Sequence, residues 1–323
     1  MTSRRQFIAG TALFLVAPRN IAQTAKAMPK IGVLRWQKAQ LQWAMRELPR
    51  AVKERGYIEG KNIAFLWRSA GQKSSQADEI VREFVRERVA IIVASPTPAA
   101  HAARRGTATI PIVLSGIADP VSSGLVTSLA RPGGNITGVS LNLPAVAGKR
   151  VEVLRDAFPA LKRIAFLGSS SDPATKVFVA NTEQAARQLG LALQVELIPG
   201  SSEINAAFIK IAAGGAQAVI VQPIFWTLAK QISELALKNR LPTISDFGSF
   251  PRDGGLLSYG PNQSATFLIV ADYMDKILNG AKPGDLPIQE PTRFELVVNM
   301  KTARRLGIKI PDTVMVRADR VIE

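Results

Sequence analysis

Covalent catalysis has little to draw on in this sequence. It contains no cysteine, so a thiolate nucleophile, a thiolate zinc site and a Cys-ligated iron–sulfur cluster are excluded. Its one histidine, His101, cannot build the His-rich set that catalytic zinc usually takes, and within Pro98-Ala-Ala-His-Ala-Ala-Arg104 it reads as part of a helix surface. No G-x-S-x-G elbow is present to raise a nucleophilic serine, which leaves an exported α/β hydrolase or transferase as the weaker alternative. Gly133-Gly134 lack the G-x-G-x-x-G spacing of a dinucleotide site. Carboxylate-bound calcium or magnesium survives this argument, as do organic ligands. No metal or cofactor is expected.

The groups that remain are suited to binding. Ser95-Pro96-Thr97-Pro98 opens a helix with hydroxyls and free backbone amides, a setting for a carboxylate. Asp119 and Asp246 have the charge to pair with an ammonium, and Trp36 has the face to stack on a flat group. Ligands of open parallel sheets lie beyond the carboxyl ends of the strands. Applied along the chain, that rule selects Trp36, Ser95, Thr97 and Asp119 from the first half and Ser170, Asp172, Gln222 and Asp246 from the second. Asn142 and Tyr259 fall near chain crossings. Each has a plainer reading as well. Ser95, Thr97 and Asp119 can simply cap helices, Asp172 before Pro173 looks like an N-cap with proline at N1, and Trp36 can be packing.

The elements that must position these groups follow from periodicity. Short β-branched runs alternate with amphipathic stretches, the pattern of a parallel sheet covered by helices on both faces. Strands are expected at Lys30–Leu34, Asn62–Trp67, Val89–Ala94 and Ile110–Leu114. Ala77, Ile80, Val81, Phe84 and Val85 share one helical face, and Gly56 stops the helix after the first strand. The order then repeats, with strands at Lys162–Leu167, Leu193–Ile198, Ala218–Val221 and Leu241–Ser245 and a helix from Pro173 that ends at Gly190. Arg131–Gly138 is turn-rich and reads as the first crossover. Phe267, Val270, Ala271, Met274 and Leu278 form the apolar face of a later helix closed by Gly280, and Phe294–Asn299 reads as a further strand. The expected fold is α/β, with two similar doubly wound parallel-sheet lobes joined by several hinge crossovers. One lobe is assigned residues 28–140 plus 262–295 and the other 141–261 plus 296–323.

Forty-one Lys and Arg against 25 Asp and Glu give +16, but the basic residues are scattered in ones and twos without interleaved aromatics. A solvated surface is expected, with no nucleic-acid partner. Part of the excess sits in Ser3-Arg4-Arg5-Gln6-Phe7-Ile8, an apolar run to about Ala17, and Ala25-Lys26-Ala27. This is the arrangement of an export signal with a twin-arginine-like start. Removal of residues 1–27 takes four basic groups and no acid. With no cysteine after the apolar run a lipid anchor is not expected, and the mature chain is expected to be a soluble periplasmic monomer.

A set of motifs resembles a known family. Gly56-Tyr-x-Glu-Gly60 with Asn62-Ile63, Asp119-Pro-Val-x-Ser-Gly-Leu-Val126, Leu129-Ala-Arg-Pro-Gly-Gly-Asn-Ile-Thr-Gly138, Gly255-Leu-Leu-Ser-Tyr-Gly-Pro261, Tyr273-x-Asp-Lys-Ile-Leu278 and the tail from Leu286 to Asn299 together resemble the ABC-transporter substrate-binding proteins of the tryptophan-binding TrpX type. The resemblance spans nearly all of the chain beyond the leader. It implies a type I periplasmic-binding-protein fold without enzymatic activity, in which two lobes close over a small solute, such as an amino acid, and deliver it to an ABC permease in the membrane. Arg35-Trp36-Gln37, Gly168-Ser-Ser-Ser-Asp172 and Gln222 depart from the family's usual residues at positions where the ligand is read. A ligand-sensing transcription regulator can share this fold, but its N-terminal helix-turn-helix would have to stand where the leader is.

Overall fold

The computed structural model describes residues 28–143 and 145–323, and the expected export segment, residues 1–27, lies outside the described residues. The first half builds a sheet of five strands: β1 (Lys30–Arg35), β2 (Ala64–Ser69), β3 (Ile91–Ser95), β4 (Ile112–Ile117) and β5 (Ile136–Ser140). Their spatial order is β2-β1-β3-β4-β5 and every pairing is parallel. The connecting helices are α1 (Lys38–Lys53), α2 (Ser74–Arg86) and α3 (Thr97–Gly106). A parallel sheet must bury both faces, so alternate residues of each strand serve different helix layers. Ile31, Val33, Ile91 and Val93 pack with Ala44 and Leu48 of α1, whereas Leu34, Ile92 and Ala94 pack with Ile80 and Phe84 of α2 and Ala99 of α3. Gly56, with φ +83°, takes the left-handed conformation that lets the chain turn back after α1.

The second half repeats the plan. In chain order it comprises α4 (Ala147–Ala157), β6 (Arg163–Ser169), α5 (Thr175–Gln188), β7 (Ala192–Ile198), α6 (Ile204–Ala213), β8 (Ala218–Val221), α7 (Ala229–Lys238), β9 (Thr243–Ser245), α8 (Ser249–Arg252) and β10 (Leu257–Pro261). The chain then returns to the first lobe as α9 (Gln263–Leu278) and comes back as β11 (Phe294–Asn299), α10 (Met300–Leu306), α11 (Asp312–Met315) and β12 (Arg320–Ile322). The second sheet runs β12-β11-β10-β9-β8-β6-β7, parallel except for the β10/β11 pair. The same alternation holds. Ile164 and Phe166 face Leu154 of α4 and Phe178 of α5, while Ala165 and Leu167 face Phe208 of α6 and Ile232 of α7. Helix α9 packs beside α1 against β4 and β5. Three connections therefore cross between the sheets, after β5, after β10 and after α9.

One expected connection is a strand. The segment Arg131–Gly138, expected as the first crossover, instead ends in β5 together with Val139 and Ser140. Gly138, at φ +131°, interrupts the β-branched run, and a Cβ there would fall 2.3 Å from the Leu114 carbonyl oxygen. The glycine that blurs the strand signal is required by close approach to β4. The crossover follows at Leu141. Strand edges elsewhere move by about two residues from their expected positions, as at β2, β3 and β4.

The lobes touch across their facing ends. Trp43 of α1 and Trp226, in the 3-10 turn Pro223–Leu228, lie edge to face with centroids 6.0 Å apart. Gln37 Nε2 donates to the Ile224 carbonyl (3.4 Å), and Thr227 Oγ1 donates to Gln37 Oε1. Among the described residues no helix is long and apolar enough to cross a membrane.

Candidate functional site

The carboxyl ends of β1, β3 and β4 face those of β6, β8 and β9 across a cavity. The cavity and the solvent space at its mouth together span about 710 Å³. Its walls are largely aromatic and aliphatic. Trp43 and Phe267 come from the helices that cover the first sheet, Leu141 and Leu143 from the first crossover, and Phe178, Trp226 and Phe247 from the second lobe. Trp43 and Phe267 meet edge to face at 4.7 Å, so this wall is a packed aromatic surface and not a set of mobile side chains.

Polar groups enter that lining at opposed points. On the first lobe Arg35, at the end of β1, is 3% exposed. Its Nη2 donates to Ser115 Oγ (3.1 Å), its guanidinium lies 5.7 Å from the Phe267 ring centroid, and its Nε has no protein partner among the described residues. Burial lowers its pKa to about 9, which still leaves it cationic at neutral pH. Ser95, Thr97 and Ser115 line the same side. On the second lobe Asp172 is 8% exposed and its carboxylate is held in place: Oδ1 accepts from the Ala174 amide (3.0 Å) and Oδ2 from Gln222 Nε2 (2.9 Å). Gln222 is itself fixed, because its Oε1 accepts from the Ser169 amide (2.7 Å) and Thr175 Oγ1 (3.1 Å). Burial raises the Asp172 pKa to about 6. Neither Arg35 nor Asp172 forms an ion pair among the described residues. A cation and an anion thus face an aromatic chamber from opposite lobes, which matches a zwitterion carrying an apolar side chain.

Of the residues selected from sequence, Ser95, Thr97 and Asp172 line this cavity. Gln222 stands one layer behind, where it orients Asp172. Trp36 is off the cavity. At a strand end the two-residue alternation places Arg35 with Val33 and Ile31 toward α1 and α9, and Trp36 with Leu34 toward α2 and α3, where it is packed in the core. Its remaining edge lines a small crevice with Gln72, Ser169 and Ser171. The Asp119 carboxylate accepts from the Val121 and Ser122 amides (3.0 and 2.9 Å), so it caps the following turn instead of facing the cavity. Asp246 is not free to meet an ammonium, because it is ion-paired with Arg150 in the second lobe, both side chains being 1% exposed. Ser170 is exposed at a turn outside the cavity. Asn142 occupies a left-handed backbone position (φ 48°) between Leu141 and Leu143, and these two neighbours reach the cavity in its place. Tyr259 stacks on Phe294 at 6.1 Å, away from it.

The residues not selected are instructive. Arg35 was visible as a charge ending the apolar run Ile31-Gly-Val-Leu34, and such a charge at the carboxyl end of a parallel strand points to the crevice. Trp43 and Phe267 lie inside helices, each a little over one turn from the N-terminus, beyond the loops on which the strand-end rule concentrates. Among the described residues no group of three or more His, Cys, Asp or Glu side chains is placed to hold a metal ion.

Comparison with known proteins is consistent across the chain. The family described as ABC transporter substrate binding protein matches residues 39–322. The chain is 27% identical over 263 residues to the tyrosine-binding protein of Clostridioides difficile (strain R20291), covering 80% of this chain and 75% of that protein. A crystal structure of a conserved domain protein from Vibrio cholerae superposes with a TM-score of 0.87 at 28% identity, covering 91% of this chain and 99% of the other. The ABC domain from Streptococcus pneumonia in complex with L-Trp superposes with a TM-score of 0.84 at 26% identity and the same coverage. The two-lobed α/β architecture is that of type I periplasmic binding proteins. These matches give no support to the hydrolase or transferase alternative.

Proposed function

This chain belongs to the ABC transporter substrate-binding protein family, and we propose that it captures an α-amino acid with an aromatic side chain, closes its lobes over it and passes it unchanged to a membrane permease. The observation that carries this reading is the opposition of Arg35 and Asp172 across an aromatic chamber. Arg35, with Ser95, Thr97 and Ser115, takes the α-carboxylate; Asp172 takes the α-ammonium; Trp43, Phe178, Phe247 and Phe267 take the side chain. Relatives at 27% and 26% identity described as tyrosine-binding and as bound to L-Trp support the same class. Because one charged anchor stands on each lobe, the ligand's two charges are satisfied together only when the lobes are closed. Ligand then shifts the open–closed equilibrium by its differential affinity for the closed state. The leader-like residues 1–27 fit export to the periplasm as a soluble monomer, and neither a nucleic-acid partner nor a catalytic step belongs to this reading.

Isothermal calorimetry against the twenty amino acids tests it. L-tryptophan, L-tyrosine or L-phenylalanine is expected to bind at micromolar or lower Kd, with affinity lost for the decarboxylated amine and for the N-acetyl derivative. Equal binding of tyramine and tyrosine would remove Arg35 from its assigned role. The failure of every aromatic amino acid to bind would end the proposal for this ligand class.

A further inference from the structure

A second groove continues outward from the cavity and shares Trp43 and Trp226 with it, so that this aromatic pair forms the partition between the two. The character of the lining changes across it. Inside, aromatic carbon predominates; outside, Arg46 of α1 stands with Arg252 of α8 and Arg320 of β12, accompanied by the hydroxyls of Ser249 and Ser264. Arg46 belongs to the first lobe and the other two to the second. None of the three guanidinium groups makes an ion pair or a side-chain hydrogen bond among the described residues, although Arg68, Arg105 and Arg317 each meet a carboxylate elsewhere on the surface. The one carboxylate lining the groove, Glu295, accepts from Asn262 Nδ2 (3.0 Å).

Two further features add to the positive potential. Helix α9, sixteen residues long, begins at this groove and directs the positive end of its dipole there. The Asn262 side chain already accepts the Ser264 and Ala265 amides, so the helix end contributes field and not open donors. Along α1, Gln40, Trp43 and Arg46 follow one another at three-residue spacing, so a single helix face runs from the inner cavity past the partition to the groove. Lobe closure brings the Arg46 charge toward Arg252 and Arg320, and in a semi-enclosed groove that repulsion opposes closure unless an anion enters.

We propose that this groove is an oxyanion subsite, taking a carboxylate or phosphate between Arg46 of one lobe and Arg252 and Arg320 of the other, and that its occupation favours the closed state. The anion is either free or borne on the distal end of a solute whose body fills the inner cavity. Guanidinium geometry suits both oxyanions. The subsite extends the function proposed above, and only the arm of the test that uses an amino acid rests on that reading.

The test compares the full-length protein with its Arg252→Gln/Arg320→Gln double variant, both positions being exposed. In the first arm, inorganic phosphate is titrated against sodium chloride at matched ionic strength and the thermal midpoint is followed. A phosphate-specific rise in the native protein that disappears in the variant identifies a free anion as an occupant. In the second arm, calorimetry compares 4-carboxy-L-phenylalanine with L-phenylalanine. Tighter binding of the ring carboxylate by tenfold or more, lost in the variant while L-phenylalanine binding is unchanged, identifies the solute-borne anion. Responses that are absent in both arms, or identical in native and variant protein, overturn the subsite. If no amino acid binds at all, the inner-site reading fails, and the phosphate arm still decides this one.

Discussion

Among the described residues two arginine–aspartate combinations are buried, and one of them is closed on itself while the other is not. Arg150 and Asp246, both within the second lobe, form an ion pair with side chains 1% exposed, and Arg150 Nη2 also donates to the Leu143 carbonyl (3.0 Å). Arg35 and Asp172 are almost as buried, at 3% and 8%, yet stand on different lobes without a protein counter-charge. Asp172 and Asp246 occupy equivalent places, each shortly after a strand of the second sheet. What separates them is the partner. The fold neutralises Asp246 with a cation of its own, so that pair anchors the first crossover beside Phe247. It gives Arg35 and Asp172 no such partner among the described residues, and on the proposed function the solute supplies both counter-charges. Residue type and burial do not tell the two combinations apart; the presence or absence of a protein partner does.

The largest expected effect breaks the closed pair. Asp246→Asn leaves the Arg150 charge buried and uncompensated, and should cost about 3–5 kcal/mol of stability in urea denaturation. Arg150→Met should cost less at pH 5 than at pH 7.5, because burial pushes the Asp246 carboxyl up to about 6 and the orphaned acid can take a proton. The next effect falls on the split pair and on a different observable. Arg35→Met removes a buried cation that the fold does not neutralise, so stability should hold or rise. The affinity for L-tryptophan should fall by about 2–4 kcal/mol in calorimetry, since the α-carboxylate then loses its counter-charge. If Arg35→Met instead unfolds the protein as Asp246→Asn does, the distinction between the two pairs fails.

The same contrast explains what could be read in the sequence. The regular succession of short apolar runs such as Ile31–Leu34 and Ile164–Leu167 with amphipathic helical stretches, repeated in order, was enough to expect two parallel sheets with helices on both faces. The rule that ligands gather at strand carboxyl ends led to Ser95, Thr97 and Asp172, which line the cavity. It failed to separate Arg35 from Trp36, because which of two adjacent residues faces the cleft depends on where the pleat ends. It also could not show that Asp246 already has a partner. Arg150 lies on a helix 96 positions earlier, and only the fold brings the two together. The aromatic wall from Trp43 and Phe267 was hidden for a similar reason. Its residues belong to helices that are adjacent only because α9 returns to the first lobe.

A smaller effect separates stability from binding at Asp172. With a folded-state pKa near 6 and an unfolded value near 3.9, Asp172 stabilises the ligand-free protein most below about pH 4, and that contribution is lost as pH rises through about 6. At pH 7 the buried carboxylate is therefore a cost to the fold. Asp172→Asn should raise stability there by about 1–2 kcal/mol after loss of the Gln222 contact, and weaken amino-acid binding in the same preparation. Asp246 keeps its own acid-side contribution in this variant, so the pH dependence of stability should flatten without vanishing.

The smallest predicted effect is the pH dependence of affinity. The ligand's α-ammonium and α-carboxylate keep their charges between pH 5 and 7, so the titrating group facing them is Asp172, which must be ionised to meet the ammonium. Below about pH 6 the carboxyl has to release its proton as ligand binds, at a cost of about 1.4 kcal/mol per pH unit. The affinity of the native protein for L-tryptophan should therefore fall about tenfold from pH 7 to pH 5, with close to one proton released per ligand at pH 5. That release is measurable by calorimetry in buffers of different ionisation enthalpy. Asp172→Asn should bind weakly with a flat profile and no linked proton. If the native protein also shows a flat profile while Arg35→Met still abolishes binding, the carboxylate anchor stands and the ammonium must be held elsewhere than at Asp172.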